Sequence, residues 1–341
     1  MSSNNSINNG SMRVKIGGSR GSLPVSGPQY NKTGGNTTSL RVYSSCLPPK
    51  TALIIDGGTG FLPLSNEALK EGANHLMILL THHHHDHSQG LFIAPTTFNP
   101  QIRKSIWGPV ESNVGPQEAF KNLMKPPYHP VPAERVLAAF SFQNLETPSA
   151  FVFLFHPQAD NPVIIPVDQY ELIVKKGTGM IDFGGKNLQK FNECLLVRMY
   201  WSNHPERTIC YRFEELPTGK IFVFLTDHEN MAELPLVTQK HLENAGLLIM
   251  DSQYSEEAYH SYAKGFGHGT PEYCVDVAVR CGVSQLGLTH HDPSSSDDYL
   301  ETVILKAATD ERERRCVAPE GGGMMSLKSV FLCMDGLVIE V

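Results

Sequence analysis

Residues 76–90 read Leu76-Met77-Ile78-Leu79-Leu80-Thr81-His82-His83-His84-His85-Asp86-His87-Ser88-Gln89-Gly90. The run from His75 to Leu80 is short, apolar and unbroken, which fits a buried strand. In extended chain, residues two apart point to the same side. His82 and His84 therefore share a side and can hold one cation together. Asp86 and His87 stand at a turn into a helix and can face a second ion. His83 and His85 point away and read as bystanders. Imidazole and carboxylate donors suit zinc, manganese or iron rather than a thiolate site. The bland alternatives are a solvated histidine loop or a tag remnant, but this run lies mid-chain behind a buried strand.

The rest of the composition fits a soluble globular chain. The chain has 341 residues, 40% of them hydrophobic, enough for a substantial core. It carries 28 Lys+Arg against 35 Asp+Glu, a formal charge of −7. That balance does not suggest a nucleic-acid surface or a polybasic membrane anchor. Bound cations could still attract an anionic substrate. The 7 cysteines (Cys46, Cys194, Cys210, Cys274, Cys281, Cys316 and Cys333) are odd in number and widely spaced. They argue against a disulfide framework and for a reducing compartment. The opening MSSNNSINNGS has no apolar core, and no apolar run reaches bilayer length. A soluble cytoplasmic protein is expected.

Along the chain, residues 1–11 are Ser/Asn-rich and expected to be disordered. Residues 12–341 read as one domain, β-rich with helices interspersed. From Met12 to about Val110 the pattern suggests short strands joined by Gly-rich turns, including 40–43 and 52–55. A helix is expected at 111–124. Residues 125–190, with their prolines and strand-like runs, look like an insertion or flap. Strands are expected again at 194–200, 208–213, 221–226, 247–250 and 285–289, and helices at 270–281 and 296–308. Residues 330–332 and 337–341 read as closing strands.

The spacing Thr81-His82-x-His84-x-Asp86-His87 resembles the signature of the metallo-β-lactamase superfamily. Gly18-Ser19-Arg20-Gly21-Ser22-Leu23-Pro24, Gly34-Gly35-Asn36-Thr37-Thr38-Ser39, Asp56-Gly57-Gly58-Thr59-Gly60 and Ile106-Trp107-Gly108-Pro109 resemble its phosphodiesterase branch. That branch includes tRNase Z and cyclic-nucleotide phosphodiesterases. The match covers about 12–120 and 195–341. It implies a four-layer αββα fold, two mixed β-sheets sandwiched between helices.

The resemblance also implies further site residues. A third imidazole for the first ion is expected from His156 or His204, each followed by proline, and the Tyr211-Arg212-Phe213 segment favours His204. Asp227, at the end of an apolar strand, resembles the bridging carboxylate. His290 or its neighbour His291 should complete the second ion, with His290 preferred. Asp251 and Gly267-His268-Gly269-Thr270 resemble segments of tRNase Z, which makes His268 a general acid or phosphate contact and Asp251 its orienting partner. Asp86 belongs to the catalytic set as well as to the ligands. Asp56 is expected behind a ligand such as His87. Two divalent ions, zinc before manganese or iron, would turn a bridging water into the attacking hydroxide. The implied substrate is a small phosphodiester such as a cyclic nucleotide, and the implied assembly a homodimer. RNA 3′-end cleavage ranks second, because the chain lacks a basic surplus. A non-catalytic metal-binding or nucleotide-sensing protein would be expected to have lost ligands, and every expected position is filled.

Overall fold

Apolar runs in this chain become strands that are covered on both sides. The computed structural model describes residues 12–176, 179–315 and 327–341; the expected disorder of residues 1–11 lies outside them. In chain order the strands are β1 (Arg13–Gly18), β2 (Ser39–Tyr43), β3 (Thr51–Ile55), β4 (His75–Leu79), β5 (Arg103–Pro109), β6 (Phe140–Leu145), β7 (Phe151–Phe155), β8 (Val163–Pro166), β9 (Met180–Asp182), β10 (Leu188–Lys190), β11 (Leu195–Trp201), β12 (Ile209–Glu215), β13 (Lys220–Leu225), β14 (Leu247–Asp251), β15 (Gln285–Thr289), β16 (Ser329–Leu332) and β17 (Val338–Glu340). Seven form one sheet in the order β17-β1-β2-β3-β4-β5-β6. Eight form a second, β16-β15-β14-β13-β12-β11-β7-β8, and β9 pairs with β10 alone.

Strand β4 shows how the layers arise. Met77 and Leu79 pack into the core between the sheets, with Leu53, Phe155, Tyr211 and Phe224. Leu76, Ile78 and Leu80 face the other way, under the helices, with Phe61, Leu64 and Leu91. A strand buried on both faces reads as continuous apolar sequence rather than alternation. In the second sheet Leu247 and Ile249 of β14 face the same central core. Leu248 and Met250 face the helix Pro271–Arg280 through Cys274, Val275 and Ala278. The result is helix, sheet, sheet, helix.

Two expectations need adjustment. The stretch from Met12 to Val110 is not strands and turns alone: Phe61–Lys70 is a helix, with Phe61, Leu64, Ser65 and Ala68 on its buried face. Pro63 obscures it in the sequence, yet proline is tolerated in a first turn, where the N–H has no helical partner. Residues 125–190 do more than form a flap. Strand β6 runs parallel to β5 at the edge of the first sheet. Strand β7 joins the second sheet beside β11, and β8 pairs with β7. The helix expected at 111–124 is Pro116–Leu123. The two closing strands close different sheets: β16 runs parallel to β15, and β17 pairs with β1. Among the described residues, no helix is long and apolar enough to cross a membrane. The six cysteines among them are all buried and free.

Candidate metal centre

The carboxyl ends of β3, β4, β13, β14 and β15 lie along one rim of the sandwich, where the parallel pairs end in register. Loops at such strand ends are the usual place for sites in parallel sheets. Three residues just past these ends have positive φ: Asp56 at 58°, Asp227 at 48° and His290 at 61°. Asp and His tolerate that left-handed region better than most side chains, at a modest conformational cost. It swings each side chain out of strand register and toward the rim. Helix His85–Ile93 begins directly after His84 and carries Asp86 and His87 in its first turn. It lies close against the turn at 56–60: a Cβ on Gly90 would stand 2.0 Å from the Gly58 carbonyl oxygen.

Asp227 stands between two groups. Its Oδ2 lies 3.4 Å from His82 Nε2 and 3.8 Å from His204 Nε2. Its Oδ1 lies 3.2 Å from His87 Nε2 and 3.3 Å from His290 Nε2. His82, His84, His204 and Asp227 each bring a donor atom within 4.8 Å of the others, as do Asp86, His87 and His290. Asp86 Oδ2 is 3.4 Å from His87 Nε2 and 3.1 Å from His290 Nε2.

The ring orientations leave lone pairs facing inward. Asp56 accepts from the Thr81 N–H at 2.7 Å and from its hydroxyl at 2.9 Å. With its proton committed to Asp56, the Thr81 oxygen accepts from His82 Nδ1 at 3.0 Å. His87 Nδ1 donates to Asp56 at 2.8 Å, and His290 Nδ1 donates to Gln253 Oε1 at 3.1 Å. In all three rings the partner at Nδ1 aims Nε2 into the cluster, the nitrogen that would bind an ion in place of a proton. His82 Nε2 is buried without a hydrogen-bond partner, a cost that a cation would remove.

The electrostatics also call for positive charge. Burial would raise the Asp227 carboxyl, but His290, His87 and His82 hold it well below the usual range. Burial would depress His87, but Asp227, Asp86 and Asp56 raise it well above an ordinary imidazole. His290 is likewise opposed by burial and raised to about 9 by Asp227, Asp251 and Asp86. Buried carboxylates at this spacing require protons or metal ions, and an ion would displace the protons.

No family model matches the sequence, and no curated protein matches it. Solved structures do. The metallo-β-lactamase fold protein YhfI from Bacillus subtilis aligns over 96% of this chain and 99% of its own, at 16% identity and a TM-score of 0.57. Unliganded yeast PDE1 aligns over 97% of this chain and 99% of its own, at 11% identity and a TM-score of 0.58. Human tRNase Z, short form, aligns over 96% and 98%, at 18% identity and a TM-score of 0.55. This chain has the metallo-β-lactamase fold.

On that fold, the pairs left open by the sequence separate by position. His204 joins the cluster, whereas His156 lies 3.4 Å from Glu193 and against the Phe183 ring. His290 joins it, whereas His291 Nε2 contacts the Cys333 carbonyl at 2.9 Å. His83 Nε2 contacts the Pro109 carbonyl, and His85 is exposed. His268 Nδ1 donates to the buried Asp251 at 2.7 Å, and its ring stacks on His290 with centroids 4.8 Å apart. Asp227, His268 and His290 bring donor atoms within 4.8 Å of one another.

The supports behind these residues have roles that their spacing in the sequence does not signal. Thr81 and Gln253 set two tautomers, and the Ser22 N–H donates to Asp86 at 2.7 Å. Arg20 is fully buried and holds the carbonyls of Gly34, Asp292 and Ser295, tying the opening motif to the segment after His290. A lone arginine in a glycine-rich stretch gives no periodic signal of that role.

Proposed function

We propose that this chain is a metal-dependent phosphodiesterase that hydrolyses a small phosphodiester, a cyclic nucleotide in particular. The reading is carried by the Asp251–His268 pair standing against the Asp227 cluster. His82, His84, His204 and Asp227 would hold one divalent ion, and Asp86, His87, His290 and Asp227 a second, with zinc the best match to the donor set. Such ions supply a hydroxide nucleophile near neutral pH and neutralise charge on the phosphoryl oxygens.

The chain's own residues do the rest. Asp251 accepts from His268 Nδ1 and so fixes the ring and its tautomer. The opposite edge of the ring is left to face the cluster. There His268 hydrogen-bonds a phosphoryl oxygen or gives its proton to the leaving alkoxide as the P–O bond breaks, leaving a phosphomonoester. The likeness to yeast PDE1 and tRNase Z is one of fold, and the substrate choice rests on the absence of a basic surplus for RNA.

The test is hydrolysis of bis(p-nitrophenyl) phosphate and a panel of cyclic nucleotides with Zn²⁺ or Mn²⁺. Replacing His268 by Asn is expected to lower kcat by roughly 100- to 1,000-fold, with metal content retained. Cleavage of precursor tRNA without turnover of any cyclic nucleotide would overturn the substrate assignment.

A further inference from the structure

We propose that the cleft beside the metal centre, walled by Tyr254, Tyr262 and Tyr299 and edged by Asp292, receives a guanine base. The proposal rests on the phosphodiesterase reading above and names the part of the substrate that is not the phosphate. The cleft has a volume of about 370 Å³, and Gln253 lines it. Gln253 also accepts from His290, so cleft and centre share a wall. The Tyr254 ring stands 6.0 Å from the His268 ring and 6.0 Å from Tyr262, edge-on to both. Tyr262 is 62% exposed, a large aromatic left open at the mouth.

The lining offers no cation to a second anion. None of its residues is lysine or arginine. The nearby Arg20 guanidinium is committed to three carbonyls and the Thr33 hydroxyl. A track for an RNA backbone needs cations, and this cleft offers phenol rings, serine hydroxyls and one carboxylate. That combination suits a flat, uncharged, hydrogen-bonding ring: stacking on the aromatics and polar contact along its edge.

Asp292 selects among bases. Its Oδ1 accepts from the Ser294 N–H at 2.6 Å and the Ser294 hydroxyl at 2.5 Å, which fixes the carboxylate at the cleft edge. An ionised carboxylate can only accept. Guanine presents two adjacent N–H donors, at N1 and the 2-amino group. Adenine presents one donor beside the N1 lone pair, which a carboxylate repels.

The experiment is equilibrium binding of GMP and AMP to the full zinc-loaded chain, with hydrolysis of bis(p-nitrophenyl) phosphate, which has no base, measured separately. The unaltered protein is expected to bind GMP at least tenfold more tightly than AMP. Asp292→Asn should reduce that ratio at least tenfold. Tyr262→Ala, at an exposed position that spares the fold, should weaken both ligands several-fold and keep the ratio. Equal affinity for the two nucleotides, or a ratio indifferent to Asp292→Asn in a variant with native circular dichroism, overturns the base assignment. Turnover of bis(p-nitrophenyl) phosphate without GMP preference sinks the subsite and leaves the phosphodiesterase reading standing. Selective GMP binding without any turnover does the reverse.

Discussion

The two halves of the centre are built to different tolerances. Asp86, His87 and His290 are buried, and each is gripped from behind by the Ser22 N–H, Asp56 and Gln253 respectively. In the other half His82 is buried, but the His84 side chain is 44% exposed, with its Nε2 3.4 Å from the exposed Glu206. A braced ring has little freedom left to lose when it binds a cation, whereas a mobile one must first be ordered. On the proposed reading, the enclosed half holds its ion more tightly, and the open half exchanges with solution.

Asp227 is shared, so its loss should erase the distinction. Asp227→Asn is expected to remove both ions and cut phosphodiester turnover by three or more orders of magnitude, read by metal analysis beside kinetics. A variant that kept two ions would break the comparison. Asp56→Asn should weaken both halves, because Asp56 orients His87 directly and His82 through Thr81. The expected loss is roughly 10- to 100-fold in metal affinity or activity. Gln253→Leu touches only the enclosed half through His290. It should cost about tenfold in affinity for one ion and leave the other unchanged in a chelator titration.

A fourth prediction sharpens a wider contrast among buried imidazoles. Carboxylates raise His87 and His290 inside the centre, while burial has the opposite effect outside it. His75 on β4 is pushed down to about 4 by burial and by Arg103, and its Nε2 pairs with the Ser105 hydroxyl at 2.9 Å. An unfolded histidine titrates near 6.5, so the unfolded chain takes the proton first. The contribution of His75 is whole above about pH 6.5 and falls by roughly 2 kcal/mol by pH 5. His75→Gln should make that loss shallower, seen in urea midpoints at pH 7 and pH 5. An unchanged slope would assign the acid sensitivity elsewhere.

The first-sheet half of the cluster was legible because its residues are local. An apolar strand ending in alternating histidines puts residue spacing and geometry in direct correspondence, and His82, His84, Asp86 and His87 all lie where spacing puts them. The second-sheet residues Asp227, Asp251, His268 and His290 are spread over many turns of chain. There periodicity is silent, and only resemblance pointed to them. It could favour His204 over His156, but position in the sheet is what separates them: His156 follows β7, one strand further toward the edge than β11. Thr81, Gln253 and Arg20 were missed for a related reason. Their roles are hydrogen bonds made across the fold, and common residue types at unremarkable spacings do not announce such bonds. The helix Phe61–Lys70 was hidden by a proline that its first turn accommodates.

The left-handed backbone at Asp56, Asp227 and His290 has a consequence for how this chain can change over generations. Branched side chains fit poorly there, while Asp, Asn, His and Gly are admitted. A codon step from Asp227 to Asn would therefore keep the backbone content while discarding the charge. On the proposed reading, the architecture can outlive the chemistry, so that an inert descendant would keep the same outline, and only the charge at the rim would tell the two apart.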